Sequence, residues 1–320
     1  MHVEQILDVP ATRFVFVHYH IFKNGGTTIE SILRREFGPG FATVHGPSDG
    51  AVLDGKSLTR FLRRQPALSA VSSHHLRYPK PAARGWVIFD CCFLRHPLDR
   101  LVSVYNHFRR ANSPDPLSAL ANRHEPREFM KQLLRDSPHV VSDVQVTHLA
   151  NAGAFARPAN DRDLDRAVQV FRDMSVPGIV EMFDESLVAA EYFLKPAFPG
   201  LRLHHSPENI SQPDRTRHAD LERALVDLWG ADVYSDLLRL NRLDLELFRQ
   251  AKIENQRRLF LMPNLQERLT EFQARFAPLR TRPLADAPEH LPVRVRVAGA
   301  GASNLLAVSS SEKGLTDTLV

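Results

Sequence analysis

Residues 14–28 read Phe-Val-Phe-Val-His-Tyr-His-Ile-Phe-Lys-Asn-Gly-Gly-Thr-Thr. Positions 14–19 form a near-continuous run of apolar, β-branched and aromatic side chains, as expected of a strand covered on both faces in a parallel sheet. The Gly25-Gly26 pair follows, and 27–37 then sets Ile29, Ile32 and Leu33 on one helical face before stopping at Gly38 and Pro39. Strand, glycine loop and helix in that order open a doubly wound α/β unit.

Working outward, the same pattern recurs. A helix at 57–64 leads to a short strand at 68–72, and a second strong strand spans 86–94. Pro97 suits the first turn of the next helix, whose Leu98, Leu101, Val102, Tyr105 and Phe108 share one face. Further helices are expected at 126–135, 142–150, 160–174, 184–194, 218–228, 232–251 and 253–276, with a strand near 178–180. The expected fold is α/β, a P-loop-like three-layer arrangement of a central parallel sheet flanked by helices. Its main domain covers 1–252 and a helical extension 253–280. The Ala-, Ser-, Gly- and Pro-rich stretch 281–320 is expected to be a flexible tail.

The loop 20–28 is a ready anion cradle. Two glycines before a helix let backbone N–H groups and the positive end of the helix dipole surround a phosphate, and a Cβ there would obstruct close approach. Lys23 adds a mobile positive charge where negative charge grows during transfer, Asn24 a side-chain donor, and Thr27 and Thr28 hydroxyls beside the amides of Gly25 and Gly26. The lysine precedes the glycines, whereas a Walker loop puts it after the last one, which disfavours an ATP-dependent kinase. Strand 86–94 delivers Arg95 to the carboxyl edge of the sheet, and the following helix presents Ser103 about two turns in. Fork and hydroxyl together suit a second phosphate; the bland alternative is an Arg95–Asp99 ion pair.

These segments resemble the carbohydrate (type 2) sulfotransferase family. HIFKNGGTT (20–28) is similar to its HIPKTGGTS-type 5′-phosphosulfate loop, and FLRHPLDRLVSVYNHF (93–108) to its R-x-P-x-x-R-x-x-S-x-Y-x-H-F 3′-phosphate motif. Weaker similarities follow in SSHHLRYP (72–79), DVQVTHLANA (143–152), GIVEMFDESL (178–187), PENIS (207–211) and LNRLDLELF (240–248), so the resemblance runs from about 14 to 251. It implies 3′-phosphoadenosine 5′-phosphosulfate (PAPS) as sulfuryl donor, a carbohydrate or glycoconjugate hydroxyl as acceptor, and no metal. Lys23, Asn24, Gly25, Gly26, Thr27, Thr28, Arg95 and Ser103 would hold the donor, with Lys23 also catalytic. His74 matches the family's catalytic-segment histidine, a suitable base because imidazole titrates near neutral pH; His75, one residue on, is its rival. Glu181 and Asn209 also match family positions. Departures are Phe22 in place of the loop's proline, Asn24 in place of its threonine, and Ser73 in place of the glycine before the histidine.

Composition agrees with this reading. The 320 residues are 43% hydrophobic, enough for a full core, and 41 basic against 37 acidic side chains give +4, a mild excess that suits an anionic ligand without demanding nucleic acid. The two cysteines, Cys91 and Cys92, are adjacent on a strand and point to opposite faces, so no disulfide is expected and a reducing compartment fits. No leader or membrane span is evident, which leads to an expectation of a cytoplasmic protein. The remaining histidines, including His204 and His205, lack metal spacing and read as surface or acceptor-groove residues. A non-catalytic nucleotide- or glycan-binding protein of the same fold is the third function class.

Overall fold

The computed structural model describes residues 12–48, 50–111, 114–150, 157–204, 218–275 and 294–296. In chain order its elements are β1 (Arg13–Tyr19), α1 (Gly26–Phe37), β2 (Phe41–His45), α2 (Gly55–Arg64), β3 (Ala70–Ser73), β4 (Trp86–Leu94), α3 (Pro97–Arg110), α4 (Pro116–Arg123), α5 (Pro126–Asp136), α6 (Val144–Ala150), α7 (Asp161–Asp173), β5 (Val176–Ile179), α8 (Phe183–Leu194), α9 (His218–Trp229), α10 (Ala231–Leu240), α11 (Arg242–Phe260), α12 (Leu265–Ala274) and β6 (Arg294–Arg296). The strands make one sheet in the order β5-β4-β1-β3-β2-β6. Every pairing is parallel. This is the α/β architecture expected from the sequence.

The position of β1 explains its composition. It lies between β3 and β4, so both its edges are paired, and with cores on both faces residues 15–19 are all buried. Val15, Val17 and Tyr19 face a core that also holds Cys92 and Leu94 and is closed by α2, α6, α7 and the first half of α11. Phe16 faces the opposite core with Cys91 and Phe93, closed by α1, α8 and α12. A third cluster, built from α3, α4, α5, α9 and α10 around the fully buried Trp229, forms a helical lobe beside the sheet. Cys91 and Cys92 are both free thiols, divided between the two sheet faces.

Strand order sets where a site can form. After β1 the chain crosses to β2 and returns to β3, and after β4 it crosses the other way to β5. The neighbours β1 and β4 therefore send their crossovers in opposite directions, which opens a crevice beyond their carboxyl ends. The loops 20–25 and 95–96 border that crevice.

Several elements depart from the sequence reading. β2 went unrecognised because Phe-Ala-Thr-Val-His is short and follows the Gly38-Pro39-Gly40 turn. The helix expected over 232–251 divides at Asn241, whose backbone N–H and side-chain amide both close onto Leu237 O, while its own carbonyl starts α11 by accepting from Leu245 N. The helix expected over 253–276 is instead the end of α11 followed by α12, separated by Pro263 and a left-handed Asn264 (φ 56°). Within the stretch read as a tail, Arg294–Arg296 pair parallel with β2; the rest of 276–320, with Asn209 and His205, lies outside the described residues.

The starts of α6 and α11 cap one another. Asp143 Oδ1 accepts from Leu243 N (3.0 Å) and Asp244 N (2.9 Å), while Asp244 accepts from Gln145 N (3.0 Å) and Val146 N (2.8 Å). Each carboxylate satisfies amides that a helix end leaves open. Burial, and then the facing Asp244, push the Asp143 carboxyl up to about 7. The folded chain therefore holds this proton more tightly than the unfolded chain, and the group's contribution to stability falls as pH rises from its ordinary value to about 7. Asp143→Asn keeps the accepting oxygen and removes the titration. Urea denaturation from pH 5 to 7.5 is expected to show wild type losing stability relative to the variant, by at most about 1.4 kcal/mol per pH unit; parallel curves would rule the coupling out.

Candidate functional site

The loop after β1 is shaped by two left-handed residues, Lys23 (φ 67°) and Gly25 (φ 76°). Gly25 is the N-cap of α1, so the amides of Gly26 and Thr27 precede the first intrahelical donor, Thr28 N, and stand at the positive end of the helix. Gly26 has a separate reason to be glycine, since a Cβ there would lie 1.8 Å from His20 Nε2. Thr27 is exposed at the rim and Thr28 buried beneath it. Lys23 is half-buried, its Nζ 5.7 Å from the centre of the Phe22 ring.

Asn24 turns inward. Its Nδ2 donates to Phe93 O (2.9 Å) and to Gln145 Oε1 (2.7 Å), so its side chain braces the loop against the end of β4. Gln145, fully buried on α6, also accepts from Arg95 N (2.9 Å) and donates to Arg95 O (2.9 Å). One carboxamide thus ties together both loops that border the crevice.

Arg95 joins them a second time, as its guanidinium donates to Lys23 O (3.3 Å). Lys23 and Arg95 therefore share one rim. Burial lowers the Arg95 pKa, and Glu181 and Asp99 oppose that shift. Asp99 Oδ2 lies 3.7 Å from His96 Nδ1. Glu181 Oε1 accepts from His96 N (2.8 Å), and burial raises its carboxyl. Ser103 is half-buried on α3, two turns beyond Arg95. Arg100 is buried in the helical lobe, donating to Val140 O (3.1 Å), a structural position.

The two candidate histidines differ in tautomer and setting. His74 is half-buried just past β3, and its Nδ1 lies 3.1 Å from His20 O. A carbonyl can only accept, so Nδ1 carries the proton and the basic lone pair belongs to Nε2. His75 is buried, and its Nδ1 accepts from Gly46 N (3.2 Å), tying the loop after β2. The geometry suits His74 to proton transfer and His75 to structure. Phe22, in the position of the family's proline, sets its ring 6.4 Å from His74 and 5.2 Å from His107.

Beneath His74 lies a buried polar cluster that the sequence reading missed. Its signal was the alternation of His18, on β1, and His20, just past it, opposite Ser72 and His74, because the register pairs His18 with Ser72. Ser72 Oγ donates to Glu30 Oε1 (2.8 Å), His18 Nδ1 reaches Ser72 Oγ (2.9 Å), and His20 Nδ1 reaches Glu30 Oε1 (2.9 Å). Among the described residues, His18, His20 and Glu30 are the group whose ligating atoms approach within 4.8 Å of one another. The 2.9 Å between His20 Nδ1 and Glu30 Oε1 is a hydrogen-bond distance, tighter than the roughly 3.3 Å edge of a tetrahedral zinc site, so this cluster reads as a hydrogen-bond chain.

The sequence matches the sulfotransferase family over residues 9–249. It is also 24% identical over 243 residues to an uncharacterized protein of Archaeoglobus fulgidus, covering 74% of this chain and 95% of the relative. That family match spans β1, both crevice loops and α6, which braces them. Among the described residues no helix is long and apolar enough to cross a membrane. A transferase of the α/β class, the chain belongs to the sulfotransferase family.

Proposed function

We propose that this protein transfers a sulfuryl group from PAPS to a hydroxyl of a carbohydrate or glycoconjugate, without a metal ion. The carrying observation is the contact between the Arg95 guanidinium and Lys23 O, which holds both crevice loops on one rim. A donor with a phosphosulfate at one end and a 3′-phosphate at the other needs two anion grips at a fixed separation. The amides of Gly25, Gly26 and Thr27, the Thr27 and Thr28 hydroxyls and Lys23 serve the first grip, and Arg95 with Ser103 the second. Asn24 contributes by bracing the loop.

In the transfer, the acceptor oxygen forms a bond to sulfur while the bond from sulfur to the bridging phosphate oxygen breaks. The electron pair stays on that oxygen, where Lys23 and the loop amides meet the growing charge. The acceptor proton passes to Nε2 of His74, whose tautomer already suits it. A sulfuryl group carries less charge than a phosphoryl group, so cationic side chains and amides suffice for its transfer. The carbohydrate acceptor rests on family resemblance, and the two buried free thiols suit a cytoplasmic setting.

Lys23→Ala and Arg95→Ala are each expected to weaken binding of adenosine 3′,5′-bisphosphate about 10- to 100-fold by calorimetry, the range of a lost charge-assisted contact. Unchanged affinity in both would refute the donor site. His74→Ala should lower kcat about 100-fold or more while leaving bisphosphate affinity intact. His75→Ala should instead lower thermal stability, with kcat within a few-fold of wild type; a larger loss of kcat in His75→Ala than in His74→Ala would reverse the assignment of the base.

A further inference from the structure

The hydrogen-bond chain under His74 supplies none of the groups proposed to grip the donor, and its geometry is more specific than packing requires. His20 meets His74 twice: its carbonyl accepts the Nδ1 proton, and the ring centres lie 3.6 Å apart at 32°. The His20 ring is in turn held on two sides. Its Nε2 edge abuts Gly26, and its Nδ1 faces Glu30. Glu30 Oε1 also takes the Ser72 hydroxyl proton, so this oxygen accepts twice, and the second contact must be an N–H donated by His20 Nδ1. Connectivity alone therefore fixes the tautomers of His20 and His74.

The charges around His74 make Glu30 distinctive. Facing the cluster are Lys23 from the glycine loop, His18 and His20 from the end of β1, His45 from the end of β2, Arg77 from the loop after β3, and His148 from α6. Arg77 donates to His74 O (2.7 Å). Burial, with Lys23 and His45 adding to it, pushes His20 down to about 3, and burial likewise holds His18 and His148 well below their ordinary value. Those rings are neutral, and the fixed charges that remain are the cations and Glu30. An imidazolium forming at His74 would meet Lys23 and Arg77 as repulsion and Glu30 as the compensating charge.

We propose that Glu30 and His20 are a positioning pair for His74, in which Glu30 fixes the His20 ring as a neutral platform and its negative charge supports the proton that His74 gains in the reaction. This rests on His74 being the base of the proposed transfer. No proton leaves the Glu30–His20 contact: the acceptor proton goes to His74 Nε2, and the Nδ1 proton stays on His74, donated to His20 O. The division of labour resembles a base oriented by a second group, with a stacked ring and a carbonyl between the carboxylate and the base.

The test uses Glu30→Gln, which preserves an accepting oxygen for Ser72 and His20 while removing the charge. In the full chain, NMR titration of ring-labelled histidines is expected to show the His74 pKa falling by about half a unit or more in the variant. In turnover, kcat should fall about 10-fold, the acid limb of kcat/KM should move to lower pH by the same amount, and KM for the donor should stay within two-fold. A purely structural role would reduce kcat without moving either titration, and an unmoved or raised His74 pKa overturns the proposal. Adenosine 3′,5′-bisphosphate affinity, measured in parallel, should be equal in both proteins. Failure of wild type to bind it would sink the donor reading instead, and full activity in His74→Ala would sink the base, while the His74 titration would still decide the role of Glu30.

Discussion

A buried carboxamide organises this molecule's crevice. Gln145 has fixed donors and acceptors and no access to water, so each hydrogen bond it lacked would carry a desolvation cost. It meets that constraint by gripping Arg95 through both backbone groups and Asn24 through its side chain. Gln145 is aimed in turn by Asp244, whose carboxylate holds the start of α6. The position of the two crevice loops thus depends on a contact between helices that begin about a hundred residues apart in the chain, and α11 adds a direct contact, the Phe248 ring 5.5 Å from that of His96.

The same organisation separates rigid parts from responsive ones. Neutral carboxamides and the Arg95 guanidinium hold the crevice loops, while Glu30 sits one layer away, below the histidines. Glycine is required for different reasons at its two neighbouring positions. Gly25 needs a left-handed backbone to cap α1, and Gly26 needs to lack a side chain because an imidazole fills that space. A Walker-type reading of the pair would credit both glycines to the ligand, whereas here one of them serves the histidine behind the site.

Much of the fold was legible because its strands are strongly patterned. The runs at 14–19 and 86–94 have no other reading than buried parallel strands, and the glycine loop and Arg95 fall where such strands end. β2 was not legible, since five residues after a Gly-Pro-Gly turn gain strand character mainly from their neighbours β3 and β6. Of the candidate site, residue types and spacing pointed to Lys23 and Arg95, and the family resemblance to His74. They could not reveal that Asn24 faces inward, because inward and outward orientations of a loop side chain have the same sequence. Gln145 and Glu30 escaped for a related reason: their roles depend on partners 50 or more and 42 residues away, respectively, and only the register of β1 against β3 and the docking of α6 bring them together.

The adjacent thiols of β4 give the two layers of the molecule separate voices. Cys91 and Cys92 point into different cores, and burial pushes both thiols up, so neither reacts while its own layer is closed. Alkylation at Cys92 reports opening of the α2–α6–α7 layer, and alkylation at Cys91 reports opening of the α1–α8–α12 layer. Peptide mapping after brief exposure to a thiol reagent can therefore tell whether the helices that carry Gln145 loosen before those that carry the glycine loop, using two neighbouring atoms the protein already possesses.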